Sequence, residues 1–147
     1  MRAFKVYAID NGTVIDHIPG GKALKVVEIL KLEEYNQVVT VGMNFESKKT
    51  VRKDVVKIEN KSLSKDELNR IAVIAPMATI NIIREQKVAE KFKIEVPKYM
   101  ENLIRCPNPK CITRNEPVAT KFHKEADRPL TVKCHYCEKS FTEFTLC

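Results

Sequence analysis

Two periodicities alternate along the first part of the chain. Phe4-Lys5-Val6-Tyr7-Ala8-Ile9 is short and rich in β-formers, and Asp10-Asn11-Gly12 behind it is a turn signal, which predicts a strand over 4–9. Beyond Gly20-Gly21, the apolar residues Ala23, Leu24, Val26, Val27, Leu30 and Leu32 recur at near-helical spacing around Lys25, Glu28 and Lys31. This predicts a first helix whose stripe Ala23-Leu24-Val27-Leu30 faces a core or a second copy of the chain. Residues 38–45 and 51–58 are apolar, β-branched runs on either side of Glu46-Ser47-Lys48-Lys49, the pattern of a hairpin. Ser64-Lys65-Asp66-Glu67 is a capping box, so a second helix starts there and runs through Ile71 and Ile74. It stops near Ala75-Pro76, because proline pushes the residue before it out of the helical region. Residues 78–83 read as a strand and 88–96 as an edge strand. The order β-α-β-β-α-β is the ferredoxin-like plan, an antiparallel sheet with two helices on one face.

The pattern changes near Val96-Pro97. The rest is rich in Pro, Cys and turn residues, with a connector over 99–104 and short strands around 118–121, 130–133 and 140–146. About 50 residues with few large apolar side chains bury too little surface to be stable unaided, so this second domain needs a staple. The fold class is therefore α+β: a ferredoxin-like domain over 1–97 and a small all-β, zinc-ribbon-like domain over 98–147.

The cysteines supply that staple. Four of the five follow the spacing Cys106-x4-Cys111-x22-Cys134-x2-Cys137, two close pairs that can each sit on a tight turn and offer two thiolates to one ion. Four sulfurs around one Zn²⁺ leave no open position for water, so the metal is structural. His135, between Cys134 and Cys137, reads as exposed rather than as a fifth ligand, and Cys147 is unmatched. Clustered cysteines that hold metal fit a reducing compartment, and the chain has neither a long apolar run nor an apolar opening segment, so it reads as cytoplasmic.

The 147 residues carry 26 Lys and Arg against 19 Asp and Glu, a formal net charge of +7. The surplus is dispersed: residues 98–147 hold 9 basic and 6 acidic side chains, so neither half is a polybasic tail.

Several segments, in one order over nearly the whole chain, resemble the regulatory chains of aspartate carbamoyltransferase. They are Gly12-Thr13-Val14-Ile15-Asp16-His17-Ile18-Pro19, Arg52-Lys53-Asp54-Val55-Val56-Lys57-Ile58-Glu59-Asn60, Ala75-Pro76-Met77-Ala78-Thr79-Ile80-Asn81, Cys106-Pro107-Asn108 with Cys111-Ile112, and Cys134-His135-Tyr136-Cys137-Glu138-Lys139. The resemblance implies a non-catalytic subunit whose N-terminal domain binds the nucleoside triphosphates CTP, ATP and UTP. Its zinc domain would dock on the catalytic chain, passing allosteric control of pyrimidine biosynthesis to it. It also implies a homodimer through the N-terminal domain, with three such dimers bridging two catalytic trimers. The positions matching the family's nucleotide site are Ile9, Asp16, His17, Val55, Lys57, Asn81, Gln86, Val88 and Lys91. Lys91, His17 and the Asn81 amide suit an anionic triphosphate, Asp16 suits the ribose hydroxyls, Lys57 suits the ribose or a base carbonyl, and Ile9, Gln86 and Val88 suit the base edge. Gln86 departs from the pattern, because the enterobacterial member has an aromatic residue there.

Two other readings compete. A zinc-ribbon module that binds nucleic acid requires basic and aromatic residues interleaved on one surface, and only Lys121-Phe122-His123-Lys124 has that character. A stand-alone enzyme requires a catalytic constellation, and none stands out among three histidines and a closed metal site. The expected partners are thus the catalytic chain and nucleotides, without nucleic acid or membrane.

Overall fold

The computed structural model describes residues 8–46 and 52–147. The chain divides into two compact units, residues 1–95 and 96–147.

In the first unit, β1 (Gly12–Pro19), α1 (Ala23–Ile29), β2 (Val39–Glu46), β3 (Arg52–Glu59), α2 (Lys65–Ile74), β4 (Thr79–Arg84) and β5 (Lys87–Lys93) follow one another. The sheet order is β2-β3-β1-β4-β5, with all neighbours antiparallel. This is the ferredoxin-like plan with β5 added at the edge. Among the described residues the first strand is β1, beyond the stretch that the pattern marked. The expected strand over 4–9 falls mostly outside the described residues, and Ala8 and Ile9 are not in a strand. Gly12–Pro19, which sequence reading left unassigned, forms the central strand instead. A bulge explains the miss: pairing with β3 shifts between Ile15 and Ile18, and His17 adopts φ 56°. The residues buried beneath the sheet are thus Thr13, Ile15 and Ile18, and one added residue breaks the two-residue alternation that marks a strand. Gly12 (φ 142°) has to be glycine, because a Cβ there would stand 2.1 Å from the Ile58 carbonyl oxygen.

The core lies between one sheet face and the helices. Ile15, Ile18, Val56, Ile58 and Ile80 from the sheet, with Val26, Ile71 and Ala72 from the helices, are fully buried. The first helix is shorter than its apolar stripe. It ends at Ile29, Lys31 takes φ 54°, and Leu32 continues into a single 3-10 turn. Leu24, expected in the stripe, is 62% exposed. The second helix matches its signal: the Ser64 hydroxyl accepts from the Glu67 amide and the Glu67 carboxylate accepts from the Ser64 amide. Its last residue is Ile74, one before Ala75-Pro76.

The second unit contains β6 (Tyr99–Glu101), β7 (Ile104–Arg105), a single helical turn α3 (Ile112–Asn115), β8 (Lys121–Asp127), β9 (Leu130–Cys134), β10 (Ser140–Phe141) and β11 (Thr145–Leu146). Its main sheet runs β10-β9-β8-β6, and β7 pairs with β11. The stretch expected to be a connector, 99–104, therefore joins both sheets: Tyr99 opposes His123 and Ile104 opposes Leu146. Such two- and three-residue strands carry no periodicity to read. The strand expected at 118–121 begins only at Lys121. Phe122, Val132, Ile104 and Met100 form a small apolar core, consistent with the need for a staple.

Candidate functional sites

The nine residues marked by the resemblance are scattered through 83 positions of sequence, and the sheet gathers most of them. Thr13, Ile15, Val56, Ile58 and Ile80 point to the helices, so their neighbours Val14, Asp16, Val55, Lys57, Thr79 and Asn81 point to the opposite face, which is open except that Val55 and Thr79 are buried. Register then aligns them. Lys57 on β3 opposes Val14 on β1, Val14 opposes Asn81 on β4, and Asn81 opposes Lys91 on β5. Three steps of strand spacing make this row about 14 Å long. One turn of pleat further along, Asp16 opposes Thr79, which opposes Lys93.

Asp16 is the hub of that second row. Its Oδ1 lies 3.0 Å from Lys53 Nζ and accepts the His17 amide at 2.7 Å. Burial works against its ionisation, but the Lys53 hydrogen bond, the His17 amide and the charges of both neighbours outweigh it and hold its pKa below the ordinary value. The bulge turns the His17 ring back over the sheet, with Nδ1 3.1 Å from Thr79 Oγ1. Lys57 has a pKa lowered by partial burial, against the nearby Asp16 charge. Lys53, Thr79 and Lys93 belong to this constellation and were absent from the sequence reading. Strand parity would have found them, because Lys53 shares a face with Val55 and Lys57, Thr79 with Asn81, and Lys93 with Lys91.

The remaining residues mark the far end of the same face. Ile83 opposes Val88, which is 57% exposed, and Ile9 is buried just ahead of β1. Gln86 sits in the β4–β5 turn with its side chain on Asp10. The open face is thus graded along the strands: cationic and hydrogen-bonding beside Asp16, apolar beside Val88.

In the second unit, the four cysteines come from two turns. The Sγ atoms of Cys106, Cys111, Cys134 and Cys137 all lie within 4.8 Å of one another, with Cys106–Cys137 and Cys111–Cys134 each at 3.7 Å. A tetrahedron with metal–sulfur bonds of about 2.3 Å has sulfur–sulfur edges of about 3.8 Å, so the set fits one ion. Each turn is built for anionic sulfur. Burial opposes the Cys111 thiolate, yet the Thr113 hydroxyl at 3.2 Å, the Thr113 amide and hydrogen bonds from Cys134 and Cys106 bring its pKa down to about 7. Burial opposes the Cys137 thiolate as well, and the Lys139 amide with other donors lowers it below its ordinary value. Burial drives Cys106 and Cys134 the other way, and their neighbouring cysteines push them up as well. His135 is exposed, with its Nδ1 3.1 Å from His123 Nε2, and Cys147 lies outside the cluster, near Thr120.

Among the described residues no helix is long and apolar enough to cross a membrane.

Comparison with known proteins gives both units a family. Residues 4–95 match the allosteric domain of the aspartate carbamoyltransferase regulatory chain, and residues 98–146 match its metal-binding domain. A regulatory chain from Pyrococcus abyssi is 55% identical over 145 residues, covering 97% of this chain and 95% of its own length. Regulatory chains from Methanococcus maripaludis (52% over 138 residues, 94% and 93% covered) and Thermococcus kodakarensis (49% over 140 residues, 95% and 92% covered) are similar over the same span. The chain belongs to the family of aspartate carbamoyltransferase regulatory chains, which are non-catalytic subunits.

Proposed function

We propose that this chain binds nucleoside triphosphates on the open face of its first unit. It holds one structural Zn²⁺ in its second, and in complex with the catalytic chain it passes the effector's influence on. The observation that carries the nucleotide reading is the register-built row Lys57–Val14–Asn81–Lys91 beside the Asp16–His17–Lys53–Thr79 cluster. Polyphosphate requires several cations and donors on one surface, and here Lys53, Lys57, Lys91, Lys93, His17 and Asn81 supply them. Asp16 orients Lys53 and can accept from ribose hydroxyls, while Val88, Ile83 and Ile9 give the base an apolar bed. CTP, ATP and UTP share the triphosphate, so all three are candidate effectors.

Cys106, Cys111, Cys134 and Cys137 would hold Zn²⁺. Bound there, the ion supplies charge neutralisation and a covalent tie between the two turns. Arg114, donating to the Cys106 carbonyl at 2.8 Å, fixes the α3 turn against the first of them. This unit is the docking surface for the catalytic chain. The first unit provides the homodimer contact, for which Leu24, Val38, Val41 and Met43, exposed around α1 and the β2 edge, are apolar candidates. The complex works in the cytoplasm, with catalytic trimers joined by regulatory dimers.

An effector can shift the assembly only by binding its two quaternary states with different affinity. Mixing the zinc-loaded chain with a catalytic trimer and following aspartate saturation tests this. A saturation curve that moves with CTP and ATP, and ceases to move with Lys91→Ala, supports the reading; a curve indifferent to every nucleotide refutes it.

A further inference from the structure

The Cys134–Cys137 turn carries a second arrangement that the cysteine cluster leaves unused. His123, on β8, and His135, inside the turn, are both exposed, and their ring nitrogens Nε2 and Nδ1 stand 3.1 Å apart. The backbone fixes both residues. His123 lies in the sheet between Tyr99 of β6 and Lys133 of β9. The His135 amide donates to the Lys121 carbonyl at 2.8 Å, which ties the turn to β8. Aromatic neighbours then hold the rings: Tyr99 packs on His123 with centroids 5.4 Å apart, and Tyr136 meets His135 edge to face at 5.3 Å.

The spacing of the two nitrogens has a chemical meaning. Two imidazoles bound to one ion at about 2.0–2.1 Å, with an angle between about 90° and tetrahedral, place their nitrogens about 2.8–3.4 Å apart. The pair thus already has the bite of a chelate, on two segments that the sheet holds, and a turn of each ring about its soft outer torsion aims both lone pairs at one point. In the metal-free chain one of the facing nitrogens carries the proton of their hydrogen bond. That proton passes through water to the far nitrogen of the same ring when an ion takes its place, so a neutral pair loses no net proton. The surroundings do not repel a cation. Lys121 opposes Glu101, and Lys133 opposes Ser140, whose hydroxyl donates to the Glu125 carboxylate. Among the described residues neither ring belongs to the four-cysteine group, and no third acidic or thiol side chain gathers with the pair, so water fills the remaining positions.

We propose that His123 and His135 form a second metal site, for a divalent transition ion that prefers imidazole, such as Ni²⁺, Cu²⁺ or Zn²⁺. Mg²⁺ and Ca²⁺ demand oxygen ligands and are excluded by the donor set. The site is open and exchangeable where the cysteine cluster is closed. An ion there joins β8 to the turn that the cluster already holds, and so adds a second tie to the same unit.

Ni²⁺ is the probe, since it does not oxidise the thiols that Cu²⁺ would attack. Calorimetric titration of the zinc-loaded full chain, with zinc counted before and after, should show one Ni²⁺ taken up per chain and no zinc lost. The paramagnetic ion should broaden the ring proton resonances of His123 and His135 and leave those of His17 sharp. His123→Gln and His135→Gln should each weaken nickel binding about tenfold or more while keeping one zinc per chain, which shows that the unit remains folded. Mg²⁺ in excess should not compete. Nickel bound equally well by both variants, nickel taken up only as zinc is released, or no uptake at millimolar nickel would each overturn the inference.

Discussion

The two sites of this chain are assembled in opposite ways. The cysteine cluster is local: each half comes from a turn of four to six residues, and only one long-range approach, between two turns, is needed. The proposed nucleotide face is assembled by register, from β1, β3, β4 and β5, and none of its residues stands out until the strands are paired. A local site announces itself by spacing, while a register-built site is spelled out only by the alignment of strands. The first is fragile to loss of one ligand, and the second degrades one contact at a time.

That contrast fixes the order of the expected effects. Removing the metal, or replacing Cys111 by Ala, strikes the second unit hardest. Structural zinc in small domains contributes on the order of 10 kcal/mol of apparent binding free energy, and the Phe122–Val132 core is too small to compensate. Chelation should abolish the near-ultraviolet dichroism of this unit and its association with the catalytic chain. A stable complex formed by the metal-free chain would remove the contrast.

Next in size is Asp54. It is fully buried, on the helix side of β3 between the site residues Lys53 and Val55. Its carboxylate accepts three backbone amides: Gly21 at 2.9 Å, Ala23 at 3.0 Å and Asn44 at 2.9 Å. Asp54→Ala strands three donors and should destabilise the first unit by about 3 kcal/mol, read by denaturant unfolding with zinc content unchanged. A loss below about 1 kcal/mol would show that water replaces the carboxylate.

Smaller and additive effects are expected across the open face. Lys57→Ala should weaken triphosphate binding by about tenfold, the scale of one hydrogen bond to a charged group. The face also has a pH signature. Asp16 is depressed in the folded state, so its stabilisation is complete above the ordinary carboxylate pKa and is lost as pH falls through the lower folded value. Thermal unfolding of the first unit should therefore weaken in the acid range, and Asp16→Asn should flatten that dependence; an unchanged acid limb would contradict the Lys53–Asp16 pairing. The smallest effect belongs to Ser64→Ala, about 1 kcal/mol from the lost cap, with neither site disturbed.

What could be read from sequence follows the same division. The capping box at Ser64, the stop before Pro76 and the cysteine spacing are signals within a few residues, and each appears in the fold where the pattern put it. The β1 strand was hidden because the bulge at His17 breaks its alternation. The cap of α1 was hidden for a different reason. Lys22, at the cap position, makes no side-chain cap bond, and the Ala23 amide is taken by Asp54, 31 residues away. Lys53, Thr79 and Lys93 joined the candidate site only once strand pairing was known, and the Asp10–Gln86 bond spans 76 residues that no periodicity connects.

The central claim is that triphosphate binding resides in the register-built face and is independent of the metal-held unit. Calorimetric titration of CTP and ATP into the zinc-loaded chain and its Lys91→Ala variant, with zinc counted in both, tests it most directly. The account predicts affinity for both nucleotides reduced about tenfold or more, with one zinc per chain retained. Unchanged affinity for both nucleotides in the variant would contradict it.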